Sequence, residues 1–176
     1  MKKALLISLR TMILMTFLLG FIYPIVMTML TRAFFTKEAA GSLAKTESGE
    51  IQGSLLIGQN FKSDKYFWPR PSAIDYNPLP SGGTNLAPVS QDLFVKFDER
   101  RKAGMIFEMR FASASGLDPH ISPDAARAQA PRIASARGRN LAEIHAILDS
   151  VIEARQWGFL GAPRVNVLRL NLELDK

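Results

Sequence analysis

Residues 11–30 read TMILMTFLLGFIYPIVMTML, twenty positions without a charge. At 1.5 Å per residue such a helix is about 30 Å long, the thickness of bilayer hydrocarbon. No polar stripe marks a solvent face, as it would on a core helix. The run exceeds the roughly 7–15 apolar residues of a cleaved signal sequence, and 33–42 (AFFTKEAAGS) holds no small-x-small cleavage site. The pattern predicts an uncleaved single-span anchor at 11–30 behind a short terminus at 1–10. Within it Thr16, Gly20, Pro24 and Thr28 recur every fourth position, one slanted row of small or backbone-exposing residues. Such rows let membrane helices approach closely, so the row is the expected contact with a partner helix. Pro24 predicts a kink near Gly20.

After the anchor the pattern changes. Residues 31–50 are small and polar, a stalk. The remainder, 51–176, predicts one mixed α+β domain. Leu55, Leu56 and Ile57 suggest a buried strand. Residues 62–88 form a long irregular stretch holding five of the ten prolines, and its aromatics Tyr66, Phe67, Trp68 and Tyr76 argue for packing rather than disorder. Leu93, Phe94 and Phe97 at helical spacing, opposite Lys96, Arg100 and Arg101, predict a helix over 91–102. Residues 106–111 suggest a short strand. Ser122-Pro123-Asp124 starts a helix, with Pro131 expected to bend or break it near Ala130. Asn140-Leu141-Ala142-Glu143 resembles a capping box and opens a helix to about Trp157, with Ile144, Ile147, Leu148, Val151 and Ile152 inside. The alternation of Leu168, Leu170, Leu172 and Leu174 with Arg169, Asn171 and Glu173 predicts a terminal strand over 165–174.

Charge refines the picture. The 176 residues carry 22 Lys and Arg against 16 Asp and Glu, a net charge of +6. Lys2, Lys3, Arg10 and Arg32 bracket the apolar run, no acid precedes Glu38, and from residue 33 onward the balance is 18 to 16. A nucleic-acid binder would carry its excess on the folded body. The bracket points to a membrane, and the dense basic N-terminus favours that end in the cytoplasm with the C-terminal domain outside, on the periplasmic side of the inner membrane. The absence of cysteine excludes disulfides, thiolate metal sites and a cysteine nucleophile.

Candidate chemistry is sparse. There is no G-x-x-x-x-G-K-[ST], no G-x-G-x-x-G and no H-E-x-x-H. Of two histidines, His145 falls inside a predicted helix. His120 lies between Asp118 and Ser122, a set that would serve a tethered hydrolase only if the three converged on a pocket; the proline-flanked sequence favours turn and cap roles. Ser81-Gly82-Gly83-Thr84-Asn85 is either a turn or a backbone nest for an anion or nucleotide. The cluster Lys62, Lys65, Tyr66, Phe67, Trp68 and Arg70 is read as a protein contact.

Several longer motifs occur in one order: Gly20-Phe21-Ile22-Tyr23-Pro24, Ile57-Gly58-Gln59-x-Phe61, Tyr66-Phe67-Trp68-Pro69-Arg70-Pro71-Ser72-Ala73, Tyr76-Asn77, Ser81-Gly82-Gly83-Thr84-Asn85-Leu86, Ser115-Gly116-Leu117-Asp118-Pro119-His120-Ile121-Ser122-Pro123, Ala136-Arg137-Gly138 and Pro163-Arg164-Val165-Asn166-Val167-Leu168. This set resembles the KdpC family, the C subunits of Kdp potassium-transporting P-type ATPases, over nearly the whole chain. It departs from the family pattern at Ala87, at Arg110-Phe111-Ala112 and at Pro131. The resemblance implies a non-catalytic accessory subunit, bound to a potassium-channel-like subunit and a P-type ATPase subunit, needed for assembly, and acting as a catalytic chaperone that raises the ATPase subunit's affinity for ATP. ATP and K⁺ would then be met only through the complex, and no catalytic or metal residue is expected. The sequence lacks both the D-K-T-G phosphorylation motif and a T-V-G-Y-G-type filter. The expected interface is a loop with Tyr66, Trp68, Arg70, Ser81, Gly82, Gly83 and Asn85, and a turn with Gly116, Asp118 and His120.

Overall fold

A computed structural model describes residues 2–46 and 48–176, in two compact units, 1–43 and 44–176. The first is dominated by one apolar helix, Lys2–Phe34, long and apolar enough to cross a membrane. It consists of α1 (Lys2–Phe17), a π turn (Leu18–Ile22) and α2 (Tyr23–Phe34). The π turn has a local cause. Pro24 has no N–H to give Gly20, and its ring would collide with the Gly20 carbonyl in a regular helix. The chain widens instead: Tyr23 N–H donates five residues back, to Leu18 O. The disturbance expected near Gly20 is therefore a π turn. None of the apolar side chains of this helix is buried. The short α3 (Thr36–Ala39) follows.

β1 (Leu43–Lys45), which starts at the last residue of the first unit, and β2 (Ile51–Ser54) form a two-stranded sheet. The strand expected around Leu55–Ile57 ends before it starts: residues 55–57 turn, and Leu56 is 63% exposed. After the long loop come α4 (Gln91–Lys102) and a 3₁₀ turn (Phe107–Arg110). That turn stands where 106–111 suggested a strand. It sets Phe107 and Phe111 around Phe97, with ring centroids 5.2–5.9 Å apart, and Arg110 over the Phe97 ring.

The core lies in the C-terminal half. Ser122 caps α5 (Pro123–Arg137), accepting from Ala125 N at 3.0 Å. Pro131 neither breaks nor ends α5. The helix loses one backbone bond there, but Ala130, Ile133 and Ala134 beside it are buried, and their packing holds the turn. Asn140 caps α6 (Leu141–Val151) through Ala142 N at 2.9 Å. This helix stops at Val151, not near Trp157, because Ile152 turns extended and Glu153 pairs with Arg164. Ile144, Leu148 and Val151 are buried, with Ile147 and Ile152 packed against them.

β3 (His120–Ile121) and β4 (Val165–Asn166) are antiparallel, with His120 opposite Asn166 and Ile121 opposite Val165. Asn166 then caps α7 (Val167–Leu174), accepting from Arg169 N at 3.1 Å. The terminal strand expected over 165–174 is thus two residues of strand and a helix. Val167, Leu170, Asn171 and Leu174 form its buried stripe, at helical spacing. The alternating leucines concealed this stripe because its third member is polar.

Candidate functional site

The long loop is built onto the helices by side chains. At its start Phe67 is fully buried, and the loop backbone there has no strand neighbour. Amide side chains supply what a strand would. Asn171 Oδ1 accepts from Phe67 N at 2.8 Å, and Asn171 Nδ2 donates to Phe67 O at 3.0 Å. Gln129 makes the same pair with Trp68, at 2.8 and 3.1 Å. Arg132 lies 3.8 Å from the Trp68 ring centroid and donates to Asp64 O and Tyr66 O. Arg137 donates to Lys65 O, Leu174 O and the Asp175 carboxylate. Tyr66 OH donates to Asp175 Oδ2 at 3.0 Å, and that hydrogen bond, with burial and the carboxylate's charge, raises its pKa. Asn171, Gln129, Arg132 and Arg137 each satisfy backbone groups that a packed loop would otherwise leave costly.

Further along, the loop fastens to the turn at 113–120. Arg70 pairs with Asp118 at 3.3 Å, and Tyr76 OH donates to Arg70 O at 2.6 Å. Burial pushes the Tyr76 hydroxyl up to about 12, so it remains a donor at neutral pH. Ser113 N donates to Pro71 O at 2.8 Å, Gly82 N to Ser115 O at 3.1 Å and Gly58 N to Leu117 O at 2.8 Å. Three glycines permit this closeness. A Cβ on Gly58 would lie 2.7 Å from Asp118 O, one on Gly83 2.8 Å from Ala114 O, and one on Gly116 2.7 Å from Gly82 O.

The structure therefore brings together Arg70, Gly82, Gly83, Gly116 and Asp118 as one platform. Tyr66 and Trp68 lie on the other side of the same loop, against α7 and α5. Ser81 and Asn85 are exposed on the loop, Asn85 with φ 52°. Thr16, Gly20, Pro24 and Thr28 belong to the first unit and are exposed there. Asn171, Gln129, Arg132 and Arg137 escaped the sequence reading as loop anchors. Arg137 was visible as part of a motif; a buried asparagine inside a leucine-rich stripe was the available signal for Asn171.

His120 lines a cleft of about 490 Å³ with Arg70, Phe107, Asp118 and Arg164. Its Nδ1 is 3.8 Å from Asp118 Oδ1, which instead accepts the His120 backbone N–H at 3.0 Å. Ser122 Oγ donates to Glu108 Oε1 at 2.6 Å and caps α5. The three side chains thus serve a turn and a cap, and no proton path links Ser122 to His120. Burial first, and then the Arg164 guanidinium, hold His120 below the ordinary imidazole value of 6.5; Asp118 and Glu153 oppose this. The folded protein therefore takes up this proton less readily than the unfolded chain. Stability falls as pH drops below about 6.5 and levels off below the folded-state value. His120→Gln should remove that part of the acid loss, read as a flatter dependence of the thermal midpoint on pH. Among the described residues no group of three or more His, Asp or Glu side chains is placed to hold a metal ion.

An apolar helix long enough to cross a membrane in one unit, and in the other a platform whose polar motif residues hold one another, fit a membrane-associated accessory chain. The family described as KdpC, K⁺-transporting ATPase, c chain, matches residues 5–176. The chain is 49% identical over 175 residues to the potassium-transporting ATPase KdpC subunit of Geobacter sulfurreducens, covering 93% of each. It is 47% identical to that of Geotalea uraniireducens, again covering 93% of each, and 43% identical to that of Myxococcus xanthus, covering all of this chain and 89% of the relative. The chain belongs to the KdpC family, accessory subunits of the K⁺-transporting ATPase and not its catalytic ATPase chain.

Proposed function

We propose that this chain crosses the bilayer once, N-terminus in the cytoplasm, and assembles with a potassium-channel-like subunit and a P-type ATPase subunit in ATP-driven potassium uptake. Its helix docks through Thr16, Gly20, Pro24 and Thr28. Its domain, on the external side, meets the ion-conducting subunit through the loop residues Tyr66, Trp68, Arg70, Ser81, Gly82, Gly83 and Asn85 and the turn residues Gly116, Asp118 and His120, of which Arg70, Gly82, Gly83, Gly116 and Asp118 share the loop–turn platform. The family's chaperone role, raising the ATPase subunit's affinity for ATP, would be exerted through the complex; no nucleotide-contacting residue is assigned.

The observation that carries the docking is the π turn. A four-residue row drifts about 40° per step around a regular helix. The wider turn at Leu18–Ile22 advances less per residue and offsets that drift between Thr16 and Pro24, while the step to Thr28 lies in regular α2. Beyond its chain neighbours and the helix's own backbone, no atom lies within 4 Å of the Cβ position at Gly20, so the helix leaves this notch open. Thr28 Oγ1 donates to Pro24 O at 2.7 Å, which satisfies its hydroxyl inside the helix. Gly20→Leu should fill the notch and reduce copurification with the two large subunits severalfold, while the chain stays in the membrane fraction. Undiminished copurification would remove the row from the interface.

A further inference from the structure

After α6 the chain runs out from the core as a narrow hairpin over 153–164. Its base is closed by Glu153 and Arg164, whose backbones exchange bonds of 2.9 and 3.0 Å and whose side chains pair at 2.8 Å. Higher up Gln156 bridges Leu160, and Trp157 (φ 51°) and Gly158 (φ 83°) turn the chain in the left-handed region. A bulky aromatic is rare there, so the turn is a built feature that holds Trp157 at the tip. Trp157 is 86% exposed, Phe159 68% and Leu160 43%. Between residues 154 and 163 the only charge is Arg155, which makes no ion pair among the described residues.

Two exposed aromatics, a leucine and one uncompensated cation on a stiff turn have the chemistry of an interfacial lipid anchor. Tryptophan favours the headgroup boundary, where its ring is apolar and its N–H stays wet, and arginine favours anionic headgroups. The chain also brings its own bilayer. Only residues 35–43 separate the apolar helix from the second unit, so the membrane is presented to the tip at high effective concentration. We infer that the hairpin tip at 155–160 docks into the anionic lipid interface of the membrane crossed by the chain's own helix. This rests on the reading of that helix as a span.

The test uses the two tryptophans as reporters. The full-length Trp68→Phe variant, with Trp157 alone, is reconstituted in vesicles of phosphatidylethanolamine and phosphatidylglycerol carrying bromine on the acyl chains near the glycerol. The expected result is blue-shifted Trp157 emission that the bromolipid quenches, with a smaller shift after Arg155→Glu. Should Trp68→Phe fold poorly, the difference between the wild-type chain and Trp157→Phe reports the same residue. Unquenched emission at the wavelength of a water-exposed indole overturns the inference. So does a blue shift that appears only when the partner subunits are added, which would assign the tip to a protein contact. Resistance to alkaline extraction reads the span separately. A chain that washes off loses both readings, and one that stays with Trp157 unquenched loses only the tip.

Discussion

Asn171→Leu should destabilise the second unit by about 2–6 kcal/mol, the largest effect expected of any single change discussed for this domain. Leucine has the same branching and number of side-chain heavy atoms as asparagine, and the surrounding stripe of α7 is apolar, so the change is nearly isosteric and its larger methyl groups add only a secondary packing cost. The loss is in hydrogen bonding. Asn171 is 2% exposed, and its amide is the partner of both Phe67 N and Phe67 O. Leucine leaves a donor and an acceptor buried and unpaired, each costing about 1–3 kcal/mol. Domains of this size are commonly stable by only about 5–15 kcal/mol, so a large part of the margin would disappear. Thermal unfolding of the full chain in detergent, followed by near-ultraviolet circular dichroism, measures it. An unchanged midpoint would mean that Phe67 does not depend on this amide. Gln129→Leu should show a smaller loss, because Trp68 is only half-buried and water can replace part of what is lost.

Gly116→Ala is the second, with an expected loss of about 2–5 kcal/mol. Gly116 has φ 73°, a conformation that costs alanine on its own. The added Cβ would also lie 2.6 Å from Ile74 Cγ1 and 2.7 Å from the Gly82 carbonyl oxygen. Ile74 can move its side chain, but the carbonyl belongs to the loop backbone. The loop must then lift from the turn, which breaks the Gly82–Ser115 bond. The consequence reaches assembly. If the platform meets the ion-conducting subunit, Gly116→Ala should reduce copurification with that subunit even where the folded fraction of the chain is matched by lowering the temperature. Gly104→Ala is the control: its φ of 78° carries the same backbone cost, but nothing beyond its chain neighbours lies within 4 Å of the new Cβ. The difference between the two variants isolates the loop–turn contact.

Helix starts were legible where a few residues settle them. Ser122 and Asn140 cap α5 and α6 because an oxygen next to free backbone N–H groups needs nothing remote. The apolar run at the N-terminus was legible for the same reason, since bilayer thickness converts directly into residue count. Helix ends were less so. α6 stops at Val151 because Glu153 pairs with Arg164, eleven positions away, and the segment itself gives no sign of that partner. Local chemistry at Pro131 predicts a bend or break near Ala130; buried neighbours on α5 outweigh one missing bond, and the helix runs through. The alternation of Leu168, Leu170, Leu172 and Leu174 predicts a strand, yet Asn166 caps a helix there and Asn171 belongs to its buried stripe.

The candidate platform divides in the same way. Its motifs could be named from the sequence, and the glycines marked where the backbone bends or is crowded. That Gly83 and Gly116 face the same contact, that Arg70 reaches Asp118 and that Asn171 stands in for a strand depend on pairs of residues far apart in the chain. What this sequence determined alone is what short range can fix: an apolar run of membrane-crossing length, two capped helices and the family's motif order. What the tertiary structure decided is which distant groups satisfy each other's hydrogen bonds. A buried polar group must find a partner somewhere, but the sequence does not state where the fold will bring that partner.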